Sequence, residues 1–115
     1  MLVSLTDLRL DRRGDLLGVH RAARRLAAEW PDLEGAYGMW LWARPLAGRC
    51  GAVAVWRDAA ALHAFVTRPT HLAIVREYRG RGAVTARTWE TPEFSPAATW
   101  ARARELIDAG VRSTS

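Results

Sequence analysis

The sequence predicts an α+β domain whose elements follow the order βαββαβ, building a four-stranded antiparallel sheet with helices on one face and a further helix after it. Three observations carry that expectation. Residues 36–57 hold two aromatic and β-branched runs separated by a short loop, the pattern of a hairpin. A helical apolar period precedes the hairpin from residue 15, and a second one, interrupted by a proline, follows it over residues 59–78. Single strand-like segments, residues 2–10 and 83–90, flank these elements.

In the first segment Leu2, Leu8 and Leu10 share one parity while Val3 and Leu5 occupy the other, which suits a strand covered on both sides. Residues 11–14 form a polar turn, after which Leu16, Val19, Ala23, Leu26, Ala27 and Trp30 recur at helical spacing. Asp15 is placed to cap that helix and Pro31 to stop it, and Arg21, Arg24 and Arg25 fall on its water-facing side. The hairpin runs Ala36 to Arg44 and Cys50 to Arg57, with Pro45 and Gly48 in its loop. Asp58 caps a short helix over Ala59 to Thr67; Pro69 breaks it, and Thr70 opens a second stretch to Tyr78. R-G-R-G at 79–82 reads as a plain loop, because no helix follows it to make a phosphate cradle. The last sheet strand spans Ala83 to Glu90. Ser95 and Pro96 then open a helix expected over 96–109, with Gly110 beyond its end. The chain divides accordingly into a ferredoxin-like domain at 1–90 and an extension at 91–115.

At 115 residues, half of them apolar, the chain fits one domain that buries roughly two thirds of its unfolded surface. The formal charge of +5 comes from seventeen arginines against twelve acids. These cations are scattered, so no nucleic-acid footprint is expected. Cys50 is the sole cysteine, which excludes an intrachain disulfide and a thiolate metal cluster and suits a reducing, cytoplasmic setting. No run approaches the apolar length of a membrane span and no signal-peptide pattern opens the chain, so no membrane partner is expected.

The strands are apolar or aromatic on both sides, as Met39 and Leu41 against Trp40 and Trp42 show. With helices on one face only, the other face needs a cover, and a second copy is the economical one. A homodimer with sheets face to face is the expectation.

The candidate chemistry lies mainly in residues 56–71, W-R-D-A-A-A-L-H-A-F-V-T-R-P-T-H. His71 shares a helix side with Ile74, Val75 and Tyr78, where burial keeps an imidazole neutral and able to act as a base. His20 falls in the apolar stripe of the first helix and is a second candidate base, whereas His63 is expected in water. Six tryptophans are many for this length, and Trp40, Trp42, Trp56 and Trp89 in strands, with Phe65, can wall a planar ligand. Tyr78 can donate to an oxyanion. Arg76 is expected to be exposed, and Trp30 and Trp100 to pack helices. Metal is not expected, because the three histidines lack carboxylates at ligand spacing, and no dinucleotide fingerprint is present.

The strand order over residues 1–90, Trp56 nine positions before Phe65, and the R-P-T-H break together resemble the dimeric α+β barrel proteins related to antibiotic biosynthesis monooxygenases. The resemblance implies a cofactor-independent monooxygenase acting on a planar aromatic or enolic molecule. It also admits a cyclase or isomerase, or a non-catalytic binding or stress-response module. The haem-degrading branch is marked by an asparagine on strand one, a tryptophan on the second helix and a histidine ten residues beyond. This chain has no asparagine, with Phe65 and Val75 at the other two positions.

Overall fold

A computed structural model describes residues 1–113, with side chains through Ala109; residues 114–115 of the expected extension lie outside the described residues. Strands β1 (Leu2–Leu10), β2 (Ala36–Arg44), β3 (Arg49–Trp56) and β4 (Gly82–Glu90) form one sheet in the order β2-β3-β1-β4. Every neighbouring pair is antiparallel. Helices α1 (Leu16–Ala27), α2 (Ala59–Val66), α3 (Pro69–Tyr78) and α4 (Pro96–Ser113) complete the fold. The expected ferredoxin-like α+β architecture is thus the one observed.

Local chemistry explains most boundaries. The Asp58 carboxylate accepts the Ala61 N–H at 2.9 Å and caps α2, and the Ser95 hydroxyl accepts the Ala98 N–H at 3.3 Å at the start of α4. Two expected caps differ. Asp15 ends a 3-10 turn (Arg13–Asp15) with helical backbone angles and makes no capping bond; it faces Arg81 at 3.7 Å instead. At α3 it is Arg68 that holds the capping position and Pro69 that takes the first helical one, where a missing N–H costs nothing. The Thr70 hydroxyl is thereby released to donate to Glu29, which also pairs with Arg68 at 3.0 Å, so the start of α3 is tied to the end of α1. These two bonds, Thr70 first, hold the Glu29 carboxyl below its usual pKa. The α4 backbone runs through Gly110 to Ser113, since a lone glycine weakens a helix by only about 1 kcal/mol.

Three of the four strands are covered on both faces by the chain's own helices. On one side α1, α2 and α3 enclose Leu2, Leu26, Ala54, Trp56, Ala61 and Phe65, with Leu10, Val19, Cys50 and Tyr78 beside them. On the other side Ala103 and Ile107 of α4 pack on Val3, Leu5, Trp42, Val53 and Val55. This corrects the premise of the face-to-face dimer: over β1, β2 and β3 the second face is already occupied by α4. What stays open is β4, whose residues 83–88 are all exposed, Val84 at 63%.

The α4 layer is fastened by charge as well as by apolar contact. Arg44 pairs with Asp108 at 2.8 Å, and the buried Arg49 guanidinium binds the Asp7 carboxylate and donates to the Ile107 carbonyl at 3.0 Å. Gly51 sits beneath this group because nothing larger fits: a Cβ there would lie 1.7 Å from the Thr6 carbonyl oxygen. The bare glycine lets the Trp42 indole cross β3 and donate to that same oxygen at 3.2 Å.

Candidate active site

The residues singled out from the sequence separate into three places. His71, Phe65 and Trp56 come together between the helices and the sheet. Pro69 opens α3 shortly after α2 ends, and His71 in its first turn lies against Phe65 of α2. The Phe65 ring meets the His71 imidazole edge-on at 5.3 Å, Trp56 lies 5.1 Å from Phe65, and Trp30 closes the group at 4.9 Å from Trp56. Trp30 therefore packs as expected. Trp56 is 0% exposed and its indole N–H donates to the Ser4 hydroxyl at 2.9 Å, so it forms the floor behind Phe65 and not an open wall.

His71 is half-buried, and its Nδ1 atom is fully buried with no hydrogen-bond partner of good geometry among the described residues. Burial lowers the imidazole pKa below its ordinary value, and a hydrogen bond to the Val66 backbone opposes it. The ring is thus neutral near neutral pH, and one of its nitrogens has an unused bond. An unsatisfied buried polar atom is costly and uncommon.

Trp40, Trp42 and Trp89 form a second group on the opposite face, under α4. Trp42 is buried beneath the Arg49 guanidinium, 5.6 Å from its ring, and Trp40 stacks on Phe94 at 6.2 Å. These three tryptophans do not share a pocket with His71, because the sheet lies between them. Strand alternation, along β2 for Trp40 and Trp42 and along β4 for Trp89, separates them from the helix side, and only the placement of α4 decides what covers them.

Tyr78 occupies the third place. It borders a cleft of about 530 Å³ between α1 and α3, with Gly18, Arg21, Arg24, Arg25 and Glu77 around it. His71 is not part of this cleft.

His20 requires correction. It is exposed, because the buried arc of α1 is centred on Val19, Ala22 and Leu26. At 100° per residue His20 lies about 130° from that centre. Val75 also turns outward, at 44% exposure, and Trp100 is 38% exposed, less enclosed than expected. His63 and Arg76 are exposed, as anticipated.

The sequence reading passed over Asp7 and Arg49. A carboxylate in the middle of a strand expected to be covered on both sides was the available signal, since such a group needs a buried cation. Cys50 is buried, and desolvation, with Asp7 adding to it, pushes its thiol up to about 11, which makes it an inert core residue. Among the described residues no group of three or more His, Cys, Asp or Glu gathers at metal-binding distance, and no helix is long and apolar enough to cross a membrane.

No family model and no curated protein matches the chain. Solved structures do. An antibiotic biosynthesis monooxygenase superposes with a TM-score of 0.70 at 15% identity, covering 81% of this chain and 100% of that one. A putative antibiotic biosynthesis monooxygenase from Nitrosomonas europaea gives 0.69 at 11% identity, with coverage of 81% and 100%. SnoaB, a cofactor-independent oxygenase from Streptomyces nogalater, gives 0.63 at 14% identity, with coverage of 83% and 96%.

Proposed function

The chain has the fold of the antibiotic biosynthesis monooxygenase-like proteins, and we propose that it is a small-molecule enzyme, a cofactor-independent monooxygenase acting on a planar phenolic or enolic substrate, with His71 as the general base. The observation that carries this reading is the buried, unpartnered Nδ1 of a neutral His71 set against the Phe65 ring. A substrate hydroxyl would approach the partly exposed edge of this imidazole. Deprotonation gives an electron-rich anion that reduces dioxygen directly: a ring CH₂ becomes a carbonyl, one oxygen atom enters the product and the other leaves as water. Electrons and protons both come from the substrate, so the step needs no further reductant. Phe65, with Trp56 behind it, supports the ring.

His20 has no place in this reading, because it stands in water away from Phe65. A homodimer remains part of it, with the second copy placed over the exposed β4 and not over the face that α4 holds. Light scattering at micromolar concentration tests that assembly. A cytoplasmic setting is likewise proposed, on the strength of the lone, reduced and buried Cys50.

Oxygen uptake with hydroxylated tricyclic aromatics is the direct test. Positioned general bases contribute about 10²–10⁴-fold, so His71→Ala should lower turnover by that range while leaving the fold intact. Uptake unchanged in His71→Ala would remove the residue from the mechanism. Turnover under nitrogen would point to a cyclase or isomerase. A second reading, a binding module without catalysis, draws on the complete enclosure of Trp56; binding of such aromatics with no turnover in either atmosphere would establish it.

A further inference from the structure

We propose that the cleft between α1 and α3 is a binding site for the oxyanion of a small molecule, a carboxylate or a phosphate, held by Arg21, Arg25 and the Tyr78 hydroxyl. The inference is independent of the His71 reading and concerns a different wall of α3.

Three features support it. First, Arg21, Arg24 and Arg25 all border the cleft and none makes an ion pair among the described residues, although eight such pairs form elsewhere in the chain. Arg21 and Arg25 stand one turn apart on α1, a like-charge arrangement that costs a few tenths of a kcal/mol in an isolated helix. Glu77 is the one acidic group on the cleft, so three cations against one anion leave it positive.

Second, Tyr78 is only 8% exposed and borders the cleft, and its hydroxyl, set against Gly18, makes no hydrogen bond among the described residues. Burial raises its pKa, with Glu77 and Asp15 adding to this and Arg81 and Arg25 opposing it, so the phenol keeps its proton and can donate. The Arg81 guanidinium lies 5.6 Å from the ring on its other side, and Asp15 is paired with Arg81, not with the cleft arginines.

Third, the helix makes room for that hydroxyl. A Cβ at Gly18 would stand 2.7 Å from the Tyr78 oxygen. Glycine within α1 costs about 1 kcal/mol relative to alanine, a loss that a packing tyrosine alone would not require, since phenylalanine would fill the same core position. Guanidinium forks bind carboxylate and phosphate through paired hydrogen bonds, and a neutral phenol adds a third donor.

Isothermal titration with benzoate, phenyl phosphate and neutral benzyl alcohol tests the site. At least one of the two anions should bind with unit stoichiometry and benzyl alcohol should not; whichever anion binds more tightly assigns the headgroup. Arg25→Gln should weaken that anion about tenfold, and Tyr78→Phe should weaken it by a smaller factor without lowering the melting temperature. His71→Ala should leave the affinity unchanged, which separates this site from the proposed catalytic one. The proposal is overturned if no probe binds, if benzyl alcohol binds as well as the anions, if Arg21→Gln/Arg25→Gln protein keeps full affinity, or if His71→Ala abolishes binding.

Discussion

Replacing Arg49 by methionine should destabilise the protein far more than its position at a strand end suggests. The side chain is 1% exposed; Nε donates to Asp7 Oδ1 at 3.3 Å, and Nη2 donates to Asp7 Oδ2 and to the Ile107 carbonyl. Methionine leaves the Asp7 carboxylate, itself only 9% exposed, facing the core with no cation, and leaves a carbonyl of α4 without its donor. Breaking one side of a buried pair costs about 3–5 kcal/mol, a large fraction of the roughly 5–15 kcal/mol that stabilises an ordinary domain. With a urea slope of about 1.5 kcal/mol/M, the midpoint should fall by about 2 M or more. Removing both charges is a different perturbation. Asp7→Leu/Arg49→Met leaves no buried ion, and it also removes Arg49 Nη1, which is buried without a partner. The double variant should therefore recover most of the loss. Urea unfolding followed by tryptophan fluorescence measures both proteins. A single-variant loss under about 1 kcal/mol, or a double variant that is worse than the single one, would refute the account of a desolvated, mutually dependent pair.

Three further outcomes are expected. Ile107→Ala should cost about 2–4 kcal/mol, because its side chain fills the sheet face at 1% exposure, whereas Trp100→Ala on the same helix should cost under about 1 kcal/mol; equal losses in thermal melts would contradict the packing of α4. The pKa of His71 is lowered on folding, so the unfolded chain takes up the proton first. The neutral imidazole then contributes stability above the ordinary histidine value of 6.5 and loses it progressively as the pH falls below that. His71→Gln should flatten this acid-side fall, and parallel stability-pH curves for the two proteins would remove the effect. Cys50, with its thiol raised to about 11, should resist iodoacetamide at pH 8 in the native state and react once unfolded; fast native labelling, read by mass spectrometry, would show that the strand opens.

The fold was largely legible because its signals are local. Alternation in residues 36–44, the proline at 69 and the capping residues Asp58 and Ser95 each act within a few positions of one another, and each appears where periodicity and capping chemistry put it. The candidate site was less legible, because which side chains meet depends on layers that sequence spacing does not encode. The apolar set of α1 admits two arcs, one through Leu16 and Ala23 and one through Val19, Ala22 and Leu26; contact with β3 and α3 selects the second and leaves His20 outside. Trp56 and Trp42 read as one aromatic wall, yet strand parity sends them to opposite layers. The role of α4 was hidden for a similar reason. Its apolar residues showed that it needed a surface, and nothing near them in sequence showed that the surface was the back of its own sheet. Arg21, Arg24 and Arg25 resemble any solvated helix face until Tyr78 and Gly18 are placed beside them.

The attachment of α4 through Arg44, Arg49 and Ile107 also dictates an order of events during synthesis. All four strands leave the ribosome before the helix that shields Val3, Val53 and Val55, so every nascent chain passes through a stage with a greasy back exposed to its neighbours. Translational pausing or premature termination between Glu90 and Ala103 should therefore yield sticky, chaperone-dependent products, even though every strand is already complete.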